Sequence, residues 1–270
     1  MVKFQDGELT RQSLSTRTLG DTQNKMSEEQ NQTVVETIKG NIKILRFNQP
    51  NRKNAADLNA YIKIRQALKE AADNCDISMV ILTGTGDFYC SGNDLKDHRD
   101  KGPELTNELL DRIKEMVIEF VLFPKPLVAI VNGPAVGIAV TTLALCDFVF
   151  AAEHAYFYAP FTKLGVVPEA CSTYTFPKLI GYRKALELLL LNQRISSKEA
   201  VSCGLVNNVW GIEELEDRAW EKIEVINNIP TDTFVKAKKL FRQPILKQLL
   251  ETNDAEIDTL KTFVGLRSRL

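Results

Sequence analysis

The stretch that decides the fold is Leu127–Asp147, LVAIVNGPAVGIAVTTLALCD. Leu127-Val128-Ala129-Ile130-Val131 has the length and branching of a strand buried on both faces. Asn132-Gly133-Pro134 then punctuates it as a turn. A helix is expected to open near Gly137, and its first backbone N–H groups, which have no acceptor inside the helix, suit negative charge. The small residues Ala135, Gly137 and Ala139 allow a second backbone or a ligand to come close. Alone, the stretch reads as an ordinary strand–turn–helix of an α/β domain; a partner site is needed to make it more.

Outward from it, the chain alternates strand and helix signals. Val34–Ile38 and Ile42–Phe47 flank Lys39-Gly40-Asn41 as a hairpin, and Asn48–Lys53 is a loop. Leu58, Ile62, Arg65, Leu68 and Ala72 recur at helical spacing, followed by a central strand at Met79–Thr83. Phe88–Cys90 reads as a short strand entering the glycine loop Ser91–Leu95, and Leu105–Leu122 as an amphipathic helix. Beyond the deciding stretch come strands at Phe148–Ala151 and Tyr156–Tyr158 and an apolar helix at Tyr182–Leu191. A capping box, Ser196-Ser197-Lys198-Glu199, opens a helix ended by Gly204, and Leu205–Val209 returns as a strand. After Gly211 three helices are expected, Ile212–Asn228, Thr231–Phe241 and Ile245–Leu266. Residues 1–32 are polar and are expected to be a tail or linker. The organisation is therefore a tail at 1–32, an α/β core at 33–211 with parallel β–α units, and a helical region at 212–270.

Composition narrows the function. The chain has 270 residues, 44% hydrophobic and 26% charged, enough for a full core. Its 34 basic and 35 acidic residues nearly cancel, so nothing global points to nucleic acid or a membrane surface. No apolar run reaches the roughly 18–20 residues of a bilayer span, and export through a secretory signal is not expected. Five scattered cysteines without a CxxC fit a reducing compartment. The two histidines, His98 and His154, lack metal-ligand spacing, so no metal site is expected.

Ser91-Gly92-Asn93-Asp94-Leu95 and Gly133-Pro134-Ala135-Val136-Gly137-Ile138 each follow a buried strand. In parallel units both emerge at one sheet edge, where two backbone N–H groups can hold one oxygen that gains charge during a reaction. The pairing of Phe88-Tyr89-Cys90-Ser91-Gly92-Asn93-Asp94-Leu95 with Asn132-Gly133-Pro134-Ala135-Val136-Gly137, closed by Cys146-Asp147, resembles the crotonase (enoyl-CoA hydratase/isomerase) superfamily over Thr33–Leu270. The resemblance implies a spiral of β-β-α turns with a C-terminal helical trimerisation region, a homotrimer or dimer of trimers, and stabilisation of thioester enolates. It makes the Asn93 and Ile138 amides the oxyanion donors. By the same resemblance Ser91, Gly92, Asn93, Asp94 and Leu95 bind the substrate, whose adenine end lies along that loop. Gly137 belongs to the same substrate site, and Lys53, or Arg52, is a cation near the phosphates of coenzyme A. Coenzyme A is part of the substrate; no separate cofactor is implied. Because the amides act there, side-chain changes at Asn93 are expected to matter less than backbone displacement.

Hydratases of the family carry glutamates where this chain has Thr141 and Phe161, so hydration is disfavoured. Leu164-Gly165-Val166-Val167-Pro168-Glu169-Ala170-Cys171-Ser172 resembles the LG-x-x-PEG-x-S segment of peroxisomal enoyl-CoA isomerases, with Ala170 in place of glycine. Glu169 is then the single base of a proton shuttle. By its own neighbours alone it reads as a solvated loop carboxylate, and the resemblance is what makes it the base. Phe157, Phe161, Val166 and Val167 line the acyl pocket or belong to the core. The terminal Ser268-Arg269-Leu270 resembles the S-K-L address read by the peroxisomal import receptor, giving a peroxisomal expectation with the mitochondrion as alternative. The competing functional readings are a non-catalytic, corepressor-like acyl-CoA binder and an enoyl-CoA hydratase.

Overall fold

In the computed structural model, which describes residues 32–94 and 102–267, the chain enters through the hairpin β1 (Val34–Lys39) and β2 (Ile42–Phe47). Gly40, at φ +62, makes the turn, and the pair runs antiparallel from Val34↔Phe47 to Lys39↔Ile42. From β2 onward the sheet is parallel: β3 (Met79–Gly84), β4 (Leu127–Val131), β6 (Phe148–Ala152) and β9 (Asn208–Trp210) lie in the order β1-β2-β3-β4-β6-β9. Every residue of β3 and β4 is buried, as the continuous apolar runs require of strands covered on both faces. A second, small sheet of β5 (Ala135–Val136), β7 (Tyr156–Tyr158) and β8 (Ile195–Ser196) stands beside it. The polar N-terminal stretch, Leu95 and Ser268–Leu270 lie outside the described residues.

Helices cover the sheet. Asp57 opens α1 (Leu58–Asp73) by accepting a hydrogen bond from the Ala60 amide at 2.8 Å. The buried face of α1 is Ala60, Tyr61, Ile64, Ala67, Leu68 and Ala71, one step away from the stripe read in the sequence, which shares only Leu68. Three of the six are alanines, which let the helix approach closely, while Leu58 packs at the margin of the core. Then follow α2 (Gly102–Leu122), α3 (Ile138–Thr141), α4 (Ser172–Leu179), α5 (Tyr182–Leu189), α6 (Ser197–Ser202), α7 (Ile212–Asn227) and α8 (Thr231–Arg267). The capping box forms as read, with Ser196 and Glu199 satisfying each other's backbone amides.

The short strands β5 and β8 went unread, and four further elements differ from the sequence reading. Phe88–Cys90 makes no strand, only an isolated bridge between Cys90 and Ala135. The last strand begins at Asn208 rather than Leu205. Helix α4, on Ser172–Leu179, has Pro177 inside it and went unread. The two terminal helices are one, α8, running through Pro244. Packing explains the last: α8 lies along α2, burying Leu249, Ile257 and Leu260, and such contact outweighs the roughly 3 kcal/mol that an internal proline costs. A polar tie fixes the same seam, with Asn253 donating to the Lys114 carbonyl at 3.1 Å, and elsewhere on α8 Lys238 donates to Asp147 at 2.6 Å. Asp147 also accepts the Leu127 amide at 2.8 Å, so α8 is anchored where β4 begins.

Candidate active site

Because β3 and β4 are parallel neighbours, the loops leaving Gly84 and Val131 share one edge of the sheet. They are laced together. Asn132 accepts the Gly84 amide at 2.9 Å and donates to the Gly86 carbonyl at 2.6 Å. The Val136 amide donates to the Cys90 carbonyl at 3.0 Å, and the Tyr89 amide to the Pro134 carbonyl at 3.2 Å. A third loop joins through Asn54, whose side chain donates to the Thr85 and Phe88 carbonyls at 2.9 and 2.6 Å. Glycine is required at the crossing. Gly92 has φ +84, and a Cβ there would lie 2.8 Å from the Val136 carbonyl oxygen.

At the crossing itself, two amides stay out of this lacing. Gly137, at φ +60, donates its amide to the Tyr158 carbonyl at 2.8 Å. Ile138, the first residue of α3, and Asn93, just after Gly92, donate to no protein acceptor among the described residues. Their neighbours Gly92 and Gly137 pack backbone to backbone, a Cβ on Gly137 standing 4.0 Å from the Gly92 Cα. Two uncommitted amides thus flank one contact, an arrangement suited to a single anionic oxygen.

Glu169 reaches the same place. It is buried, and burial, with the nearby Glu256 carboxylate adding, pushes its pKa from 4.5 up to about 8. The Asn93 side chain opposes that rise by donating to Glu169 Oε1 at 3.4 Å. Asn93 Oδ1 in turn accepts from the Tyr61 hydroxyl, delivered by the buried face of α1. Burial raises the Tyr61 phenol well above its ordinary value, Glu169 adding to the effect, so Tyr61 stays a neutral donor and fixes which end of the Asn93 amide meets the carboxylate. A carboxylic acid raised in this way is a base matched to neutral pH.

The remaining residues named from sequence fall into place differently. Phe161 is buried, and Thr141 is buried with its hydroxyl donating to the Ile138 carbonyl at 3.2 Å. Neither side chain can transfer a proton in water chemistry. Lys53 is exposed, has φ 55, and stands 5.2 Å over the Phe88 ring, while its carbonyl accepts the Ser91 amide at 3.0 Å. Arg52 is ion-paired with buried Asp94, which makes both part of the loop's framework. Phe157 is buried, and Val166 and Val167 pack against the core. An apolar cavity of about 20 Å³ adjoins Ile138 instead, lined by Tyr61, Ile64, Met116, Phe120 and Ala139 among others. The thiols of Cys90, Cys146 and Cys171 are pushed up to about 12 by burial, which rules them out as nucleophiles near neutral pH. Sequence reading missed Tyr61, Glu256 and the side-chain role of Asn93. The first two lie far from the loops in sequence, and only the α1 phase and the continuity of α8 bring them in.

Fold and site together set two uncommitted amides near the buried carboxylate of Glu169. The chain belongs to the enoyl-CoA hydratase/isomerase family, whose model matches residues 37–268. It is 42% identical over 226 residues to mouse "Enoyl-CoA delta isomerase 3, peroxisomal", covering 83% of this chain and 71% of that protein. It is 39% identical over 236 residues to rat "Enoyl-CoA delta isomerase 2", covering 86% of this chain but 60% of the relative's length. Among solved structures, a putative enoyl-CoA hydratase/isomerase from Acinetobacter baumannii superposes with a TM-score of 0.77 at 30% identity, over 86% of this chain and 99% of that one. The crotonase fold expected from the resemblance is therefore the fold of this chain.

Proposed function

We propose that this protein is a Δ3,Δ2-enoyl-CoA isomerase that moves the double bond of a 3-enoyl-CoA to the 2-trans position. The observation carrying the reading is the buried carboxylate of Glu169, which accepts a hydrogen bond from the side chain of Asn93, the residue whose amide is uncommitted. The relatives' names support the same activity. Ionised Glu169 removes a proton from C2 of the thioester. The C–H electron pair forms C1=C2, and the carbonyl electrons move to oxygen, where the Asn93 and Ile138 N–H groups hold the negative charge. The dienolate then collapses: the carbonyl re-forms, C2=C3 forms, and the electrons of the old C3=C4 bond take the proton back from Glu169 at C4. Substrate and product have the same atoms, so neither water nor an electron carrier takes part. One carboxylate serves both transfers, and the absence of acids at Thr141 and Phe161 is what this chemistry wants, because a second acid–base pair would favour adding water.

Coenzyme A enters as part of the substrate. Its adenine end is assigned to the Ser91–Leu95 loop and its phosphates to Lys53, which is exposed, whereas Arg52 is engaged by Asp94. The acyl chain enters beside Ile138, where the small cavity must widen to admit it. A peroxisomal location is supported by the mouse relative's name, and self-association, as a homotrimer or dimer of trimers, by the exposed Leu240 and Phe241 on α8. Imaging a tagged chain with and without Ser268–Leu270 tests the first, and light scattering of the purified protein tests the second. The activity itself is tested by incubation with a 3-enoyl-CoA and, separately, with a 2-enoyl-CoA in water. Conversion of the first without hydration of the second is expected; a 3-hydroxyacyl product from the second, or inertness to both, overturns the proposal.

A further inference from the structure

The isomerase reading uses one buried carboxylate and leaves another. Glu256 lies on α8, is buried, and accepts three hydrogen bonds from the segment just after Glu169. These come from the Cys171 amide at 2.8 Å, the Thr173 amide at 2.9 Å and the Thr173 hydroxyl at 2.6 Å. Two of the donors are amides at the start of α4, which no side chain of its own N-terminus caps. Glu256 thus does from another helix what an N-cap residue ordinarily does locally.

The held turn is unusual. Ala170 and Cys171 both have φ 60 and neither is glycine, a conformation that costs an L-residue roughly 1–2 kcal/mol at each position. Such a turn persists only where the surroundings over-determine it, and here the bonds to Glu256 act on its last residue and on Thr173. The turn points Glu169 at Asn93. A local helix cap would hold α4 alone, whereas Glu256 joins it to α8, which is anchored along α2 and at Asp147.

We propose that Glu256 is a positioning residue for the isomerase reaction: from α8 it clamps the left-handed Ala170-Cys171 turn and thereby fixes Glu169 against Asn93. The inference rests on the assignment of Glu169 as the base. Its charge also bears on Glu169 directly. The groups facing Glu169 are the Tyr61 hydroxyl and Asn93 amide on one side and Glu256 on the other, while Cys171 and Arg242 lie at the Glu256 end of the cluster. Loss of the Glu256 charge removes repulsion and lets Glu169 ionise at lower pH.

Glu256→Gln keeps one acceptor oxygen and removes the charge. The folded variant is expected to lose roughly 10-fold or more of kcat at its pH plateau with KM for the enoyl-CoA within about twofold of the parent. The acid limb of its kcat profile is expected to move to lower pH. Should Glu256→Gln fail to fold, Thr173→Val removes one of the three bonds and leaves the charge; it is expected to lower kcat with KM unchanged and to leave the acid limb in place. A folded Glu256→Gln with the parent's plateau and acid limb overturns the proposal, as does a fully active Thr173→Val where that variant must be used. Glu169→Gln measured alongside separates the two levels. If it is inactive while Glu256→Gln is unaltered, only the clamp falls; if it is fully active, the base assignment falls and takes the clamp with it.

Discussion

Replacing Gly92 with alanine tests the crossing of the two loops most sharply. The new Cβ would lie 2.8 Å from the Val136 carbonyl oxygen, 3.4 Å from its carbon and 3.7 Å from the Gly137 Cα, at a backbone φ of +84. All three obstacles are backbone, so no side-chain rotation relieves them. The left-handed conformation costs alanine about 1–2 kcal/mol and the forced contact about 1–3 kcal/mol more, a total near 2–5 kcal/mol. For a domain of this size each kcal/mol lowers Tm by about 2–4 °C, so a fall of roughly 4–20 °C is expected. Relief requires the 92–93 and 136–138 segments to separate, which displaces the Asn93 amide and should lower kcat about 10²–10³-fold. Differential scanning calorimetry and steady-state turnover of a 3-enoyl-CoA read both. Gly40→Ala supplies the control: it also has positive φ, +62, but nothing lies within 4 Å of its Cβ, so a modest Tm loss with unaltered kcat is expected. A Gly92→Ala protein with the parent's Tm and kcat would refute the claim that this contact sets the amide geometry.

Three further outcomes follow from the same geometry. With Glu169 raised to about 8 in the free protein, kcat/KM should climb with pH through about 8, since the base must be ionised; a profile already flat between about pH 6 and 8 contradicts the burial argument. Stability should move the other way. Both Glu169 and Glu256 titrate higher when folded, to about 8 and about 7 against 4.5, so the native state binds the extra protons and denaturant midpoints should fall as pH rises from about 5 to about 8. Glu169→Gln should flatten part of that slope, and an unaltered slope would show that Glu169 does not titrate in this range. Tyr61→Phe strips the Asn93 side-chain oxygen of its donor, which should cost about 1–3 kcal/mol of stability and lower kcat by freeing the amide to turn; a parental kcat in the folded variant would remove Tyr61 from the site.

The sheet was legible because its strands are short apolar runs bounded by glycine and proline, and the residues of both glycine loops carry their own signal. Tyr61 was not legible for a physical reason. The α1 stripe was sought along Leu58, Ile62, Arg65, Leu68 and Ala72, whereas the buried face shares only Leu68 with it and runs through Ala60, Tyr61, Ile64, Ala67 and Ala71, where alanine's small size hid the pattern. The break placed before Ile245 falls at Pro244, where a helix ordinarily ends, but the packing of α8 on α2 carries the helix through. That misplacement also hid Glu256, because its role depends on α8 running unbroken from the Asp147 anchor to the turn after Glu169. Asn93 was read for its amide alone; its side chain takes part only because Glu169 and Tyr61 arrive from distant segments. Local rules identified which backbone could hold charge, and tertiary contacts decided what stands beside it.

The most direct test of the whole account is turnover of a 3-enoyl-CoA by Glu169→Gln, a change that keeps the side chain's size and a hydrogen-bond acceptor for Asn93 but cannot take the C2 proton. With the parent's circular dichroism spectrum and a similar KM, kcat should fall about 10²–10⁴-fold. With the unaltered protein, some deuterium placed at C2 should reappear at C4. A folded Glu169→Gln that isomerises the substrate at near the parent rate would show that another group moves the proton, and would contradict the account at its centre.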